Sequence, residues 1–240
     1  MNTALIFAGG TGTRMHSKGR PKQFLELHGK PILIHTIEQF EQHPLIDSIA
    51  VVCLADWMDY LKELLARFGI RKVRWIVPGG ATSQESTRNG LQAIAAEQDP
   101  ERTIVLIHDG VRPLITQELI RQNIETVRRC GNAITVAPAI ETIVTTADGE
   151  AVDQVIDRSS CRLARAPQSF VLSDILAMHR RAMEENYDKM IDSASLMVHY
   201  GVRLHMVDGP AENIKITTPS DYYVFRAIVE ARENSQIWGI

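Results

Sequence analysis

The chain has 240 residues, enough for one large α/β domain or two small ones, and its 45% hydrophobic and 23% charged content is ordinary for a soluble globular protein. The net charge of −3 argues against a general nucleic-acid binder, which carries a strong basic excess. Cys53, Cys130 and Cys161 lack CxxC spacing and argue against a disulfide framework or a zinc site; no apolar run reaches membrane-spanning length.

The N-terminus carries no cationic leader followed by an apolar stretch, so a cytoplasmic protein with no membrane partner is expected. Along the chain, short runs rich in Val and Ile alternate with helical patterns. The runs are Ala4–Phe7, Ile49–Leu54, Val73–Val77, Thr103–Ile107 and Ala133–Val136. They are continuous rather than alternating, as in strands buried on both faces of a parallel sheet. Pro31 opens a helix in which Leu33, Ile34, Ile37 and Phe40 share a face. Further helices are predicted over Trp57–Phe68, Gln84–Ala96 and Gln117–Arg129. Strand and helix in repetition predict a doubly wound α/β fold.

Residues 139–165 interrupt that rhythm. Thr142–Thr146 is β-branched, Ala147–Glu150 reads as a turn, and Ala151–Ile156 is a return strand. A hairpin is marginal alone in water, so this arm is expected to be an oligomer contact or a lid. Helices follow over Ser173–Asn186 and Asp192–His199, and a strand over Val202–Val207. The last helix starts with Thr218 as N-cap, Pro219 at its first position and Asp221 at its third. The whole chain reads as one domain, 1–240, with 139–165 as the inserted arm.

Three stretches carry candidate chemistry. Straight after the first strand, Ala8–Lys22 reads AGGTGTRMHSKGRPK. Glycines let backbone N–H groups approach an anion, and Arg14, Lys18, Arg20 and Lys22 supply positive charge. No Lys-Ser/Thr follows as in a Walker loop, and Met15 stands where a dinucleotide fingerprint needs glycine. A nucleoside-triphosphate loop remains, with Arg14 and Lys22 as stabilisers of charge at phosphorus and Lys18 and Arg20 as solvated neighbours. Second, in His108–Pro113 (HDGVRP), Asp109 follows a buried strand and sits at the carboxyl edge of the sheet, where open α/β folds bind ligands. It is either a Mg²⁺ ligand or a turn cap beside Arg112, and His108 reads as structural. Third, Lys215 lies between Ile214 and Ile216 and points away from both. It reaches a substrate phosphate or is an exposed edge lysine. A hydroxyl-rich loop, Gly79–Thr87, either contacts base and ribose or caps the next helix.

In this order, AGGTGTRM with PKQF, the GG loop, HDGVRP, APQSF and NIKITTP resemble the cytidylyltransferases that act on polyol phosphates, over nearly the whole chain. The resemblance implies a Rossmann-like nucleotidyltransferase fold, with a mostly parallel central sheet flanked by helices and a protruding β-hairpin arm. It implies transfer of CMP from CTP to a polyol phosphate with Mg²⁺ on the triphosphate, releasing pyrophosphate. By motif, Arg14 and Lys22 match the pair at the pentacoordinate phosphorus. Phe7, Ala8, Gly9, Gly10, Gly80, Ala81, Thr82, Ser86 and Gly110 match the CTP pocket, and Asp109 the metal-side acid. Lys215, Arg158 and Thr142 match the acceptor site, the last two on an arm that crosses to the second subunit of a homodimer. HDGVRP and Ala8-Gly9-Gly10 favour D-ribitol 5-phosphate as acceptor, for cell wall or capsule polymers, over 2-C-methyl-D-erythritol 4-phosphate of isoprenoid synthesis. Ala166, Ile191 and Ser83 depart from the family pattern, each with one polar group fewer.

Overall fold

The computed structural model describes residues 1–10 and 19–238. In chain order its elements are β1 (Asn2–Ala8), β2 (Glu26–Leu27), β3 (Lys30–Pro31), α1 (Ile32–Glu41), β4 (Ser48–Cys53), α2 (Met58–Arg67), β5 (Val73–Pro78) and α3 (Ser83–Ala95). There follow β6 (Ile104–Asp109), α4 (Gln117–Cys130), β7 (Asn132–Pro138), β8 (Ile143–Thr145), β9 (Gln154–Ile156) and β10 (Arg162–Val171). The chain ends with α5 (Leu172–Glu184), α6 (Ser193–His199), β11 (Met206–Asp208) and α7 (Pro219–Trp238).

A seven-stranded sheet runs in the order β11-β7-β10-β6-β1-β4-β5. Every neighbouring pair is parallel except those of β10, which runs against both β7 and β6. The continuous apolar runs have the expected cause, because both faces are covered. Ala4, Ile6, Ile49 and Val51 face a core built with Leu33, Ile37, Leu61, Leu64, Leu119 and Ile124 of α1, α2 and α4. Leu5, Ala50, Val52, Val105 and Ile107 face the opposite way, onto Leu91, Ile94, Ile175 and Leu196 of α3, α5 and α6. Each of the Val, Leu and Ile side chains among these, taken fully from water, contributes roughly 1.5–3 kcal/mol.

Local signals explain where elements stop. Thr116 caps α4, its hydroxyl accepting from Leu119 N at 3.2 Å, and Gly131 ends that helix at φ 83°. Thr218 and Asp221 hold the start of α7 reciprocally: Thr218 N donates to Asp221 Oδ2 at 2.7 Å, and Asp221 N to Thr218 Oγ1 at 3.4 Å. Pro31, expected inside α1, instead precedes it as the last residue of β3, at ψ 145°. The strand expected over Val202–Val207 is confined to Met206–Asp208.

The hairpin is present, β8 pairing with β9 as a separate two-stranded sheet. Residues 162–165, read from sequence as its end, instead begin β10, which sequence reading missed. Arg162 and Arg165 break any apolar pattern there, yet Ala166–Phe170 is buried inside the sheet.

Buried His179 of α5 finds no hydrogen-bond partner for either ring nitrogen among the described residues. Burial, and secondarily the charge of Arg88, push its pKa down to about 4. The unfolded chain therefore binds a proton that the folded one refuses. Stability from this group is full above pH 6.5 and is lost as pH falls toward 4. His179→Leu removes both unpaired nitrogens and is expected to leave stability at pH 7 unchanged or higher, while flattening its fall between pH 6.5 and 4. Urea denaturation across that range measures this; an equally steep fall in the variant would contradict it.

Candidate active site

The sheet order changes direction at β1: β4 and β5 follow on one side, while β6 lies on the other. Open α/β sheets bind ligands in the crevice outside the carboxyl ends of the strands at such a switch point. Phe7 pairs with Asp109 in the register, so the glycine loop and the HDGVRP turn emerge side by side. A cleft of about 710 Å³ occupies this place.

The expected residues Phe7, Ala8, Gly9, Gly10, Lys22, Gly80, Ala81, Thr82, Ser86, Asp109 and Lys215 all line it. Arg14 and Lys18 lie outside the described residues. Gly110 does not line the cleft. Its N–H donates to Phe7 O at 2.8 Å, and a Cβ there would stand 2.6 Å from that oxygen. Close backbone approach requires a glycine here. Thr142 and Arg158 are exposed on the arm and do not line the cleft of their own chain. Arg158 Nη1 instead donates to Ile140 O at 2.9 Å. Arg20 pairs with Glu26 at 2.9 Å.

Asp109 is the electrostatic centre. Lys215 Nζ stands 2.6 Å from its Oδ1, and Arg112 Nε donates to its Oδ2 at 3.2 Å. Burial raises the carboxyl pKa, but the charges of Lys215 and Arg112 outweigh it and hold the group below the usual carboxylate range. Asp109 thus stays ionised; it pairs with Arg112 within its own turn, as one of its two sequence readings has it, and it lines the cleft. Arg112 also donates from Nη1 to Asn213 O at 2.7 Å, tying the turn to the distant NIK segment. Ile216 is fully buried, and Lys215 is half-exposed toward the cleft. Lys22, on a single 3₁₀ turn after Pro21, is buried and donates to Ile216 O at 3.0 Å.

His108 is structural. Its Nε2 meets Arg112 O at 3.0 Å, and burial lowers its pKa to about 4 despite that bond. The hydroxyl loop caps the next helix, one of the two roles considered for it, and it also lines the cleft. Thr82 caps α3 by accepting from Glu85 N at 3.0 Å, and Gly80 N donates to Ser86 Oγ at 3.0 Å. The positive end of α3 thereby faces the cleft, suited to an anion. Asp192 caps α6 and accepts from Gln168 Nε2 at 2.7 Å. Sequence reading missed Arg165, a cleft-lining cation on β10, because it was assigned to the arm.

Among the described residues, Lys22, Arg112, Arg165 and Lys215 thus line a cleft whose wall carries two acids, Asp109 and Asp192. Such a site holds a polyanion. Among the described residues no group of three or more His, Cys, Asp and Glu side chains could hold a metal ion alone. No described helix is long and apolar enough to cross a membrane.

Residues 2–231 match the family model described as IspD, 2-C-methyl-D-erythritol 4-phosphate cytidylyltransferase. The chain is 54% identical over 239 residues to the ribitol-5-phosphate cytidylyltransferase of Vibrio parahaemolyticus, covering all of both proteins. It is 50% identical over 240 residues to that of Streptococcus agalactiae, again over both full lengths. The solved 4-diphosphocytidyl-2C-methyl-D-erythritol synthase of Anaerococcus prevotii superposes with a TM-score of 0.82 at 28% identity, over 96% of each chain.

Gly110→Ala is expected to act through the fold. Forcing a methyl onto Phe7 O should cost about 1–3 kcal/mol, read as a lowered midpoint of denaturation. A fully stable variant with a selectively raised KM for the nucleotide would instead make Gly110 a nucleotide contact.

Proposed function

Because the chain belongs to the IspD family of cytidylyltransferases, we propose that it transfers CMP from CTP to D-ribitol 5-phosphate, giving CDP-ribitol and pyrophosphate. The observation that carries the acceptor is identity of 50–54% over full length to ribitol-5-phosphate cytidylyltransferases. The cation-lined cleft supports the reaction class.

The acceptor phosphate brings an oxygen in line onto the α-phosphorus, and the bond to the β-phosphate oxygen breaks. No proton need leave the nucleophile, so a neutral, buried His108 is compatible with the chemistry. Charge stabilisation is the main demand. Buried Lys22 would place its ammonium beside the reacting phosphorus, together with Arg14. The glycine loop and the start of α3 would receive the nucleotide through backbone N–H groups. Lys215, released from Asp109, would hold the acceptor phosphate.

The residues present fit Mg²⁺ bound mainly by triphosphate oxygens. Mg²⁺ commonly takes one or two carboxylates plus phosphates, and ionised Asp109 at the strand edge offers one. When bound there it would neutralise charge on the phosphates.

We also propose a homodimer in which the arm reaches a partner's cleft, bringing Thr142 and Arg158 to the acceptor. Supporting this, the arm exposes the apolar side chains Ile140 (75%), Val152 (62%) and Val155 (65%), which a second copy would cover. The product would serve cell wall or capsule polymers, made in the cytoplasm.

The test is an acceptor panel with CTP and Mg²⁺, followed by pyrophosphate release and product mass. D-ribitol 5-phosphate should exceed 2-C-methyl-D-erythritol 4-phosphate by about tenfold or more in kcat/KM, the scale on which placed polar contacts discriminate. The reverse order would assign the chain to isoprenoid precursors, and faster turnover with UTP or dTTP would overturn the cytidylyl reading. Arg14→Ala and Lys22→Ala should each lower kcat by about two to three orders of magnitude; unchanged turnover in a folded variant would remove that role.

A further inference from the structure

Arg165 stands in an irregular part of β10. From Ala164 to Gln168 the strand advances four residues, while its partner β7 advances only from Val136 to Ile134. The extra residues bulge out beside the cleft, and bulges of this kind re-aim side chains at sites. Arg165 and Ala166 both line the cleft as a result. Asn213 completes the bulge, its Nδ2 donating to Ala166 O at 2.8 Å.

The guanidinium of Arg165 is half-buried and anchored by a single nitrogen. Nη1 donates to Ala211 O at 2.8 Å, Asn213 O at 3.1 Å and Pro210 O at 3.4 Å. Nε and Nη2 donate to no group among the described residues. The two cations around it share one acid: Lys215 and Arg112 both meet Asp109. Arg165 has no carboxylate within ion-pair distance among the described residues. Burial and the neighbouring charge of Arg112 both disfavour its charged form, with Glu212 opposing them. A cation in these surroundings, with planar donors left over, suits a ligand anion.

Its place selects which anion. Asn213, which it clasps, lies two residues before Lys215, roughly 7 Å along extended chain. In the sheet, β10 is separated from β1 by β6, so Arg165 sits two strand spacings, about 10 Å, from the glycine loop. It is therefore on the Lys215 side of the cleft, away from Gly80 and Ser86. We propose that Arg165 binds the phosphate of the acceptor, gripping with Nε and Nη2 the group that Lys215 meets from the adjacent segment. This rests on the cytidylyltransferase reading of the same cleft.

Arg165→Gln and Arg165→Lys, assayed in the full-length enzyme with CTP, Mg²⁺ and D-ribitol 5-phosphate, test it. Losing one charged hydrogen-bonding partner should raise the acceptor KM about tenfold to a hundredfold in Arg165→Gln. The KM for CTP should move less than about threefold, and Arg165→Lys should recover part of the loss. A rise in the CTP KM instead, or no rise at all, would overturn the proposal. Equal losses in both variants would also overturn it, because the anchor to Asn213 rather than the charge would then be what matters. Wild-type enzyme that forms no CDP-ribitol would refute the proposed function separately. Binding of inorganic phosphate, measured by calorimetry, would then decide Arg165: about tenfold weakening in Arg165→Gln supports it and equal binding overturns it.

Discussion

The carboxylate of Asp109, held between Lys215 and Arg112, is the interaction on which the cleft depends. It joins the end of β6 to a segment more than a hundred residues later, with Arg112 reaching on to Asn213 O. Without it, the cations lining the cleft would face one another with less opposing charge, and their mutual repulsion would rise. The same pairings keep Asp109 ionised although burial opposes charge. Asp109 thus offsets part of the positive charge that lines the cleft. Phosphates entering it would exchange that acid for their own oxygens, so the attraction is stored in the folded protein rather than assembled on binding.

The sheet makes this possible by geometry. The carboxyl ends of β1 and β6 lie adjacent, at the edge where open sheets bind ligands, and the cleft lies there. Gly110 allows the HDGVRP turn to press against Phe7 O, fixing Asp109 at the rim. The α7 cap acts from the other side. Thr217 N and Thr218 N both donate to Asp221 Oδ2, at 2.8 and 2.7 Å, which fixes the extended run carrying Lys215. Packing of Ile216, Phe225 and Val111 in a small third core does the rest.

Much of this was legible in the sequence because it is local. Buried parallel strands show as unbroken apolar runs, and helix starts as Thr or Asp before the first turn. Strand β10 was not legible. Its first half carries Arg162 and Arg165, and its burial comes from lying between β7 and β6, a relation no local pattern records. The cleft residues next to strand ends, Asp109 and Ala8 among them, follow from the rule for open sheets. The steric constraint on Gly110 was not legible because it is contact with a neighbouring strand. Arg165 was missed because only the bulge turns it inward. Lys215 was placed by motif, and its partner Asp109 became visible only in three dimensions.

The central claim is that the acceptor's own phosphate attacks the α-phosphorus of CTP within this cation-lined cleft. Labelling the three non-bridging phosphate oxygens of D-ribitol 5-phosphate with ¹⁸O tests it directly by mass spectrometry of both products. All three labels should remain in CDP-ribitol, one of them bridging the two phosphorus atoms, and none should enter pyrophosphate. Label in the pyrophosphate, or loss of label to water, would contradict the account.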